Sequence, residues 1–510
     1  MINNRPAMKS SVVTIFVSFL IAITLGCGGN TSNKKSNVDA VTTDTSKNML
    51  TVKGMHDDLS VLWSVVKELH PGYGIYASPA DLQKAYDKTY SSIKSPLSEG
   101  QFIDLIYPFV CELRCGHTQL KHSVLFKPSA SEKVPHLPFK VLVRNHHVWV
   151  TMHQIADVNT GDEIIDINGV PVSEIVDRGY GLYCGDGYAE TFKELFLSEY
   201  DGFEDACNKC YHWPGPYQIK VQTAKGVLKT INVKPAEAGA VAEDPKLKPV
   251  DNFANWTVVK DIPDSRLRFF KKSSTAWFSA PPFAYADTIV YKNAFASIKE
   301  KGIKNLVLDL RHNTGGDIRV ATQLLSYLAD APFNVVKEIK SRIPDLAHNR
   351  FAKYFDTTVT QGFVLGFKTG GKVGDWYHVD ATPTFGQMYG PFQLAEKDHF
   401  NGNLIVLIDG ATFSSGALLT AALKAQRKNI KFIGRETAGA EEGCNGVTLQ
   451  KLTLPNTKII VDFPWMRVVS VAKNPVKGRG IMPDYEVNYK PEDVVRNNDL
   501  DLKKAMSLIR

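Results

Sequence analysis

The sequence predicts an α/β protein with a helical first part and a β-rich middle. Three observations carry this. Asn305–Arg311 (NLVLDLR), Asn403–Asp409 (NLIVLID) and Ile430–Gly434 (IKFIG) are short, continuously apolar runs, as expected of strands buried on both faces of a parallel sheet. Helical segments lie between them, which makes an α/β layer. Upstream, apolar residues first recur at helical spacing and then give way to short strands punctuated by turns.

Composition narrows the function classes. With 510 residues the chain exceeds one ordinary core. Hydrophobic residues at 44% and charged residues at 22% are ordinary for a globular protein. The net charge of +7 is spread thinly, with no dense Lys/Arg block, so nucleic acid is not an expected partner.

The first residues read as an address. Arg5 and Lys9 precede SSVVTIFVSFLIAITLGCGG, the charged and apolar regions of an export signal. The apolar part is short for a bilayer span of about 20 residues. Gly26 directly precedes Cys27 and polar GGNTSNKKSN follows, which resembles a bacterial lipoprotein signal with Cys27 as the lipidated residue; Thr24 stands where such signals usually carry Leu, which leaves plain cleavage or a retained anchor as the alternatives. Residues 1–26 are thus expected to be a signal peptide and 27–50 a lipidated, polar tether. The expected location is the cell envelope, anchored by lipid to a bacterial membrane, with the folded part in the periplasm or outside the cell.

Residues 51–130 are expected to form a helical domain. Leu59, Leu62, Val66 and Leu69 share one helix face, FIDLIYPFVCELRCGH repeats the pattern, and Ser78-Pro79 is a helix start with Pro in the first turn. Residues 131–240 are β-like. There Gly161-Asp162 and Asn168-Gly169 bracket a short apolar strand, a hairpin signature. Gly161–Ile175 resembles the later half of a PDZ domain, without the Gly-rich carboxylate-binding loop; addition of a peptide strand to the sheet edge stays open. Residues 250–500 are the α/β core. Its long insertion 333–401, rich in aromatics and glycines, is either a lid or substrate wall or structural decoration.

Besides Cys27 the cysteines are Cys111, Cys115, Cys184, Cys207, Cys210 and Cys444. In an exported protein this even set reads as disulfides, with Cys207 or Cys210 expected in at least one. CELRCGH and CNKCYH have the look of zinc half-sites, but their separation fits no common zinc module, so no metal is expected.

Three stretches carry chemistry. In LIDGATFSSGALLTAALK (Leu407–Lys424) two serines stand where a strand turns into a helix. Small polar residues cap helices, but a serine there is also placed for attack, with first-turn N–H groups and the helix dipole facing developing charge. DLRHNTGGD (Asp309–Asp317) follows a buried strand, and Gly315-Gly316 leaves its N–H groups unscreened for an oxyanion. CGHTQL supplies His117, expected to end a helix, as a base of near-neutral pKa.

GHTQL, GDEIIDINGVPV, DLRHNTGGD, GATFSSGALLTAAL, GRETAG and GIMPDYEV occur in the order found in the C-terminal-processing and tricorn-type serine peptidases, which the chain resembles from Leu59 to Val487. The resemblance implies a crotonase/ClpP-like α/β core with a PDZ-like module and a helical N-terminal domain. It implies Ser414 as nucleophile, one oxyanion-hole N–H from the Gly315-Gly316 turn and the other from Ser415. One branch uses a Lys base some way after the Ser in sequence; the matching place in GRETAGAEEGCNG, near Ala440, holds no Lys. The tricorn-like branch uses a His ahead of the PDZ-like module, a place that His117 fits. That branch orients the His with a Glu shortly before the final G-[IV]-x-P-D, and the corresponding place near Lys477 holds none. Glu441 and Glu442 are the candidate orienting acids. No cofactor is implied, the substrate is a peptide or protein, and an ordinary His base loses activity below about pH 6–7. Interphotoreceptor retinoid-binding modules share the resemblance, so a non-catalytic binder of lipophiles or peptides is the alternative, with a serine esterase as another.

Overall fold

Apolar residues returning every third or fourth position build the first helices. In the computed structural model, which describes residues 49–127, 135–237 and 247–509 (without the side chains of 363 and 364), these are Val52–Leu69, Pro79–Ser92 and Glu99–Cys111. Leu59, Leu62, Val66 and Leu69 are all buried on one face. Ser78 caps the second helix by accepting from the Asp81 N–H, with Pro79 in the first turn. Ser98 and Gln101 form a capping box on the third. That helix stops at Cys111, so His117 does not end it: the residue lies in the loop before the strand Gln119–Lys121. Cys27, with the expected signal and tether, lies outside the described residues.

The three apolar runs are strands Asn305–Asp309, Asn403–Ile408 and Ile430–Gly434 of a seven-stranded sheet. Across that sheet the order is Tyr485–Glu486, Ile430–Gly434, Asn403–Ile408, Asn305–Asp309, Thr275–Ser279, Leu267–Phe270 and Trp256–Val258. Pairing is parallel from the first of these to Thr275–Ser279 and antiparallel beyond. Helices Asp287–Glu300, Ile318–Ser326 and Ser415–Gln426 connect them. The register Asp309↔Leu407 and Ile408↔Gly434 brings the carboxyl ends of the central strands level. The loops that leave those ends carry Gly315, Gly316 and Ser414, where ligands of α/β sheets bind.

A second, antiparallel sheet runs in the order Gln119–Lys121, Ile460–Ser470, Val336–Ser341, Trp376–Ala381 and Phe367–Val373, with Gly443–Thr453 also paired to Ile460–Ser470. The insertion is therefore woven into a sheet, since Val336–Ser341 pairs directly with Ile460–Ser470. The β-rich middle forms the third sheet: Phe139–Arg144, His147–His153, Glu163–Ile167, Tyr217–Gln222 and Leu228–Val233, with Val170–Pro171 hairpinned onto Glu163–Ile167. Asn168 and Gly169 turn that hairpin with φ of 52° and 77°, as a two-residue loop demands.

One apolar cluster joins the first helices to the α/β part, uniting Leu59, Phe102 and Phe109 with Leu306, Val406, Leu419 and Phe463. The third sheet has its own core around Val143, Val148, Ile164, Ile219 and Val221. Among the described residues no helix is long and apolar enough to cross a membrane.

Candidate active site

The turn between Asn403–Ile408 and Ser415–Gln426 is fixed from below. Thr412 Oγ1 donates to the Leu310 carbonyl (2.9 Å) and accepts from the Asp409 N–H (3.1 Å), while the Phe413 N–H donates to the Asn313 carbonyl (3.0 Å). Held this way, Ser414 has φ 51° and ψ −124°, a left-handed conformation that costs a non-glycine residue about 1–3 kcal/mol. Its side chain makes no cap bond to the helix that follows. Instead Ser414 Oγ lies 3.0 Å from His117 Nε2, in a pair 297 residues apart in sequence. Ser415 turns the other way and donates from Oγ to the Gly316 carbonyl at 2.8 Å. The two adjacent serines thus face different partners.

Buried Asn313 organises the glycine turn. Its Nδ2 donates to the carbonyls of Ala280 (2.8 Å) and Pro281 (2.9 Å), and its Oδ1 accepts from the Gly315 N–H (2.9 Å). Gly315 has φ 102° and packs so closely that a Cβ would lie 2.6 Å from Ser414 Cβ and 2.9 Å from Ser415 N. Gly316, at φ 119°, would drive a Cβ to 2.3 Å from the Phe283 carbonyl oxygen. The Gly315 N–H is committed to Asn313, so of the expected oxyanion donors it is not free. Among the described residues the N–H groups of Gly316 and Ser415 have no acceptor. Ser415 is the first residue of its helix, where N–H groups lack intrahelical partners and the dipole favours negative charge.

His117 reaches Ser414 because Gly116 lets it. A Cβ on Gly116 would sit 2.7 Å from Phe413 Cζ and 2.9 Å from the Cys184 carbonyl. The His117 ring lies against Phe413, centroids 4.6 Å apart. Burial lowers its pKa to about 4, which leaves the imidazole neutral and able to accept a proton at neutral pH. Its Nδ1 is buried without a hydrogen-bond partner among the described residues. His312, in the DLRHNTGGD loop, is unsuited to the same task. Burial disfavours its charge, but bonds to Asp409 and Glu199 outweigh that and push its pKa up to about 11.

Neither expected acid is bonded to His117. Glu441 is paired with Lys424 at 2.9 Å, and Glu442 lies 3.5 Å from the Arg467 guanidinium. Side chains adjacent in sequence at the mouth of the strand Gly443–Thr453 are drawn to the nearest cations. The carboxylate beside His117 is one the sequence reading passed over. Asp186 is 1% exposed, accepts from the Gly116 N–H through Oδ1 at 2.9 Å, and has an unpartnered Oδ2. Cys115, His117 and Asp186 each place a ligand-capable atom within 4.8 Å of the others, the one group among the described residues able to hold a metal ion.

A disulfide brings these loops together, and it is not the one the sequence reading expected. Cys111 and Cys184 are bridged, with Cα atoms 4.9 Å apart, whereas Cys207 and Cys210 are free. Cys207 is instead packed into the core of the third sheet. The bridge closes a loop across a separation of 73 residues, so Cys111→Ser is expected to destabilise by about 2–4 kcal/mol. Thermal unfolding of the oxidised protein and the variant measures this; equal midpoints would show the bridge to be structurally idle.

Residues 278–487 match the model of peptidase family S41. The match takes in Gly315, Gly316 and Ser414, and His117 lies outside it. A protein of Chlamydia pneumoniae is 26% identical over 242 residues, 41% of this chain and 37% of that protein, so the match spans well under half of the relative's length. Among solved structures, mature CPAF aligns with 90% of this chain and 97% of its own at 15% identity and a TM-score of 0.57. Mature CPAF complexed with lactacystin aligns over 90% and 98% at 15% identity and a TM-score of 0.56, which at that identity is a likeness of fold. Residues 278–487, less than half of the chain, thus resemble peptidase family S41, and the match and the likeness of fold together support a serine-type peptidase.

Proposed function

We propose that the protein is an envelope-anchored serine peptidase that cleaves peptide bonds in peptide or protein substrates through an acyl-enzyme on Ser414. The observation that carries this reading is the 3.0 Å contact between Ser414 Oγ and His117 Nε2. A nucleophile needs a base within hydrogen-bond reach, about 2.6–3.2 Å.

The chemistry follows from the neighbours. Ser414 Oγ attacks the substrate carbonyl carbon as its proton passes to His117 Nε2. The carbonyl oxygen takes the negative charge, facing the N–H groups of Gly316 and Ser415. The tetrahedral species collapses, the C–N bond breaks, and His117 returns the proton to the leaving amine. Water then attacks the ester, giving up a proton to His117; the second tetrahedral species collapses, the C–O bond to Ser414 breaks, and His117 returns that proton to Ser414 Oγ as the acid leaves. No cofactor enters these steps. A fluorophosphonate probe tests the reading, because it reacts with an activated serine; mass spectrometry should find the adduct on Ser414. A protein that takes no label while folded would be a binder on the same fold.

The finer architecture belongs to the same proposal: a crotonase/ClpP-like core from 250 to 500, a PDZ-like module from 131 to 240 and a helical domain from 51 to 130. An antiparallel sheet with an Asn-Gly hairpin and a following helix, Val172–Tyr180, supports the PDZ-like part. Anchoring is proposed through lipid on Cys27. Cys27→Ala should shift the protein from the membrane fraction to the soluble one; a variant that still sediments with membranes would remove the lipid from the account.

A further inference from the structure

We infer that Asp186 is the acid that positions His117, its Oδ2 serving the Nδ1 side of the ring in place of the glutamate missing near Lys477. The inference rests on the reading of Ser414 and His117 as nucleophile and base.

Two buried polar atoms without partners belong to side chains of one cluster. His117 Nδ1 and Asp186 Oδ2 both lack a hydrogen-bond partner among the described residues. A ring nitrogen of His117 and a carboxylate oxygen of Asp186 lie within 4.8 Å, and Nε2 is already engaged by Ser414. A carboxyl rotation or one bridging water spans such a gap. Buried polar atoms are nearly always satisfied, and a ring N–H with a carboxylate oxygen makes a donor and acceptor of complementary type. With Nδ1 carrying the proton toward Asp186, Nε2 is left as the lone-pair acceptor that Ser414 requires.

The surrounding covalent and backbone geometry holds this alignment. Asp186 Oδ1 is bonded to the N–H of Gly116, the residue directly before His117. One residue on, the Gly187 N–H donates to the Arg114 carbonyl at 3.0 Å. The Cys111–Cys184 disulfide joins the two segments on the other side. The loop carrying the acid is thus fastened to the loop carrying the base at three points. Neither Glu441 nor Glu442 is so fastened, since Lys424 and Arg467 hold them.

Charge around Asp186 gives the test its signature. Burial pushes its pKa up to about 7, against the Gly116 N–H and the nearby Arg467. The other groups facing it titrate elsewhere: His117 is lowered to about 4, the Cys115 thiol is raised to about 11, and Cys444, Tyr76 and Arg467 are all raised. Asp186 is therefore the group in this cluster that changes charge near neutrality.

The test uses the full chain and a fluorophosphonate probe, with the maximal labelling rate and the half-saturating probe concentration measured separately across pH. Asp186→Asn keeps an oxygen for the Gly116 N–H but loses the acceptor for Nδ1. Its maximal rate should fall about 10²- to 10⁴-fold with half-saturation unchanged. The wild-type rate should fall as pH drops through about 7, a limb the variant lacks, and Asp186→Glu should recover part of the rate. Asp186→Asn labelling at the wild-type rate overturns the assignment. Should that variant not fold, the His117 ring protons decide by NMR of the wild type: a downfield Nδ1 proton supports the assignment, and a ring protonated on Nε2 overturns it. Ser414→Ala and His117→Ala run beside it. If either labels at the wild-type rate, the underlying reading of the site has failed; if both are dead while Asp186→Asn is unimpaired, only the role of Asp186 has.

Discussion

Ser414→Ala is expected to abolish labelling by a fluorophosphonate probe and to lower peptide hydrolysis by about 10⁴- to 10⁶-fold, while Ser415→Ala stays within about tenfold of wild type. The contrast follows from where the two hydroxyls point. Ser414 Oγ faces His117 Nε2 and makes no cap bond, so its removal deletes the attacking atom and costs the helix nothing. Alanine meets the same strain as serine at φ 51°, so the melting temperature should hardly move. Ser415 Oγ instead ties the helix to the Gly316 carbonyl, and losing that bond should cost about 1 kcal/mol of stability. The proposed catalytic contribution of Ser415 is its N–H, which alanine retains. Side-by-side labelling, hydrolysis of casein and thermal unfolding of the two variants separate the roles. A dead Ser415→Ala beside a labelled Ser414→Ala would move the nucleophile by one residue.

How far the sequence could be read depended on the range of the cause. Asn305–Asp309, Asn403–Ile408 and Ile430–Gly434 are visible because burial on both faces leaves an unbroken apolar run. The Asn168-Gly169 hairpin is visible because positive φ at both positions selects those residue types. Phe367–Val373 is hard to see because the strand is largely exposed and its glycines break the alternation. Ser414 and the glycine turn carry local marks, a strand end and small residues. His117 stands out in CGHTQL as a candidate base and fits the family resemblance, yet its place in a loop rather than at a helix end was not visible. Asp186 carries no local mark beyond its flanking glycines. Its importance arises from a bond to Gly116, 70 residues away, and from the Cys111–Cys184 bridge, whose pairing no spacing rule supplies. Glu441 and Glu442 had the right chemistry, but their neighbours Lys424 and Arg467 come from other segments.

His117→Ala should come close to Ser414→Ala in loss of labelling and hydrolysis, and the double variant should fall little further. Nucleophile and base act as one unit, so removing the second after the first takes away almost nothing. The structure also changes the expected pH dependence of the base itself. An exposed histidine would charge near its ordinary value and stop accepting protons below about pH 6–7. The His117 ring is packed against Phe413 and its Nδ1 is enclosed, so burial penalises the imidazolium and lowers the pKa to about 4. The sign is direct: a lowered pKa extends the neutral, proton-accepting form to more acidic solution. The limb belonging to His117 should therefore lie near pH 4, below the one assigned to Asp186. Phe413→Ala opens the ring to water and should move the His117 limb back toward its ordinary range, where it would overlap the Asp186 limb. In an Asp186→Asn background the two are separated, and the remaining limb should rise from near 4 toward 6 when Phe413 is also removed. A limb that stays near 4 without Phe413 would place the cause of the low pKa elsewhere. Undiminished labelling of His117→Ala would remove the histidine from the mechanism altogether.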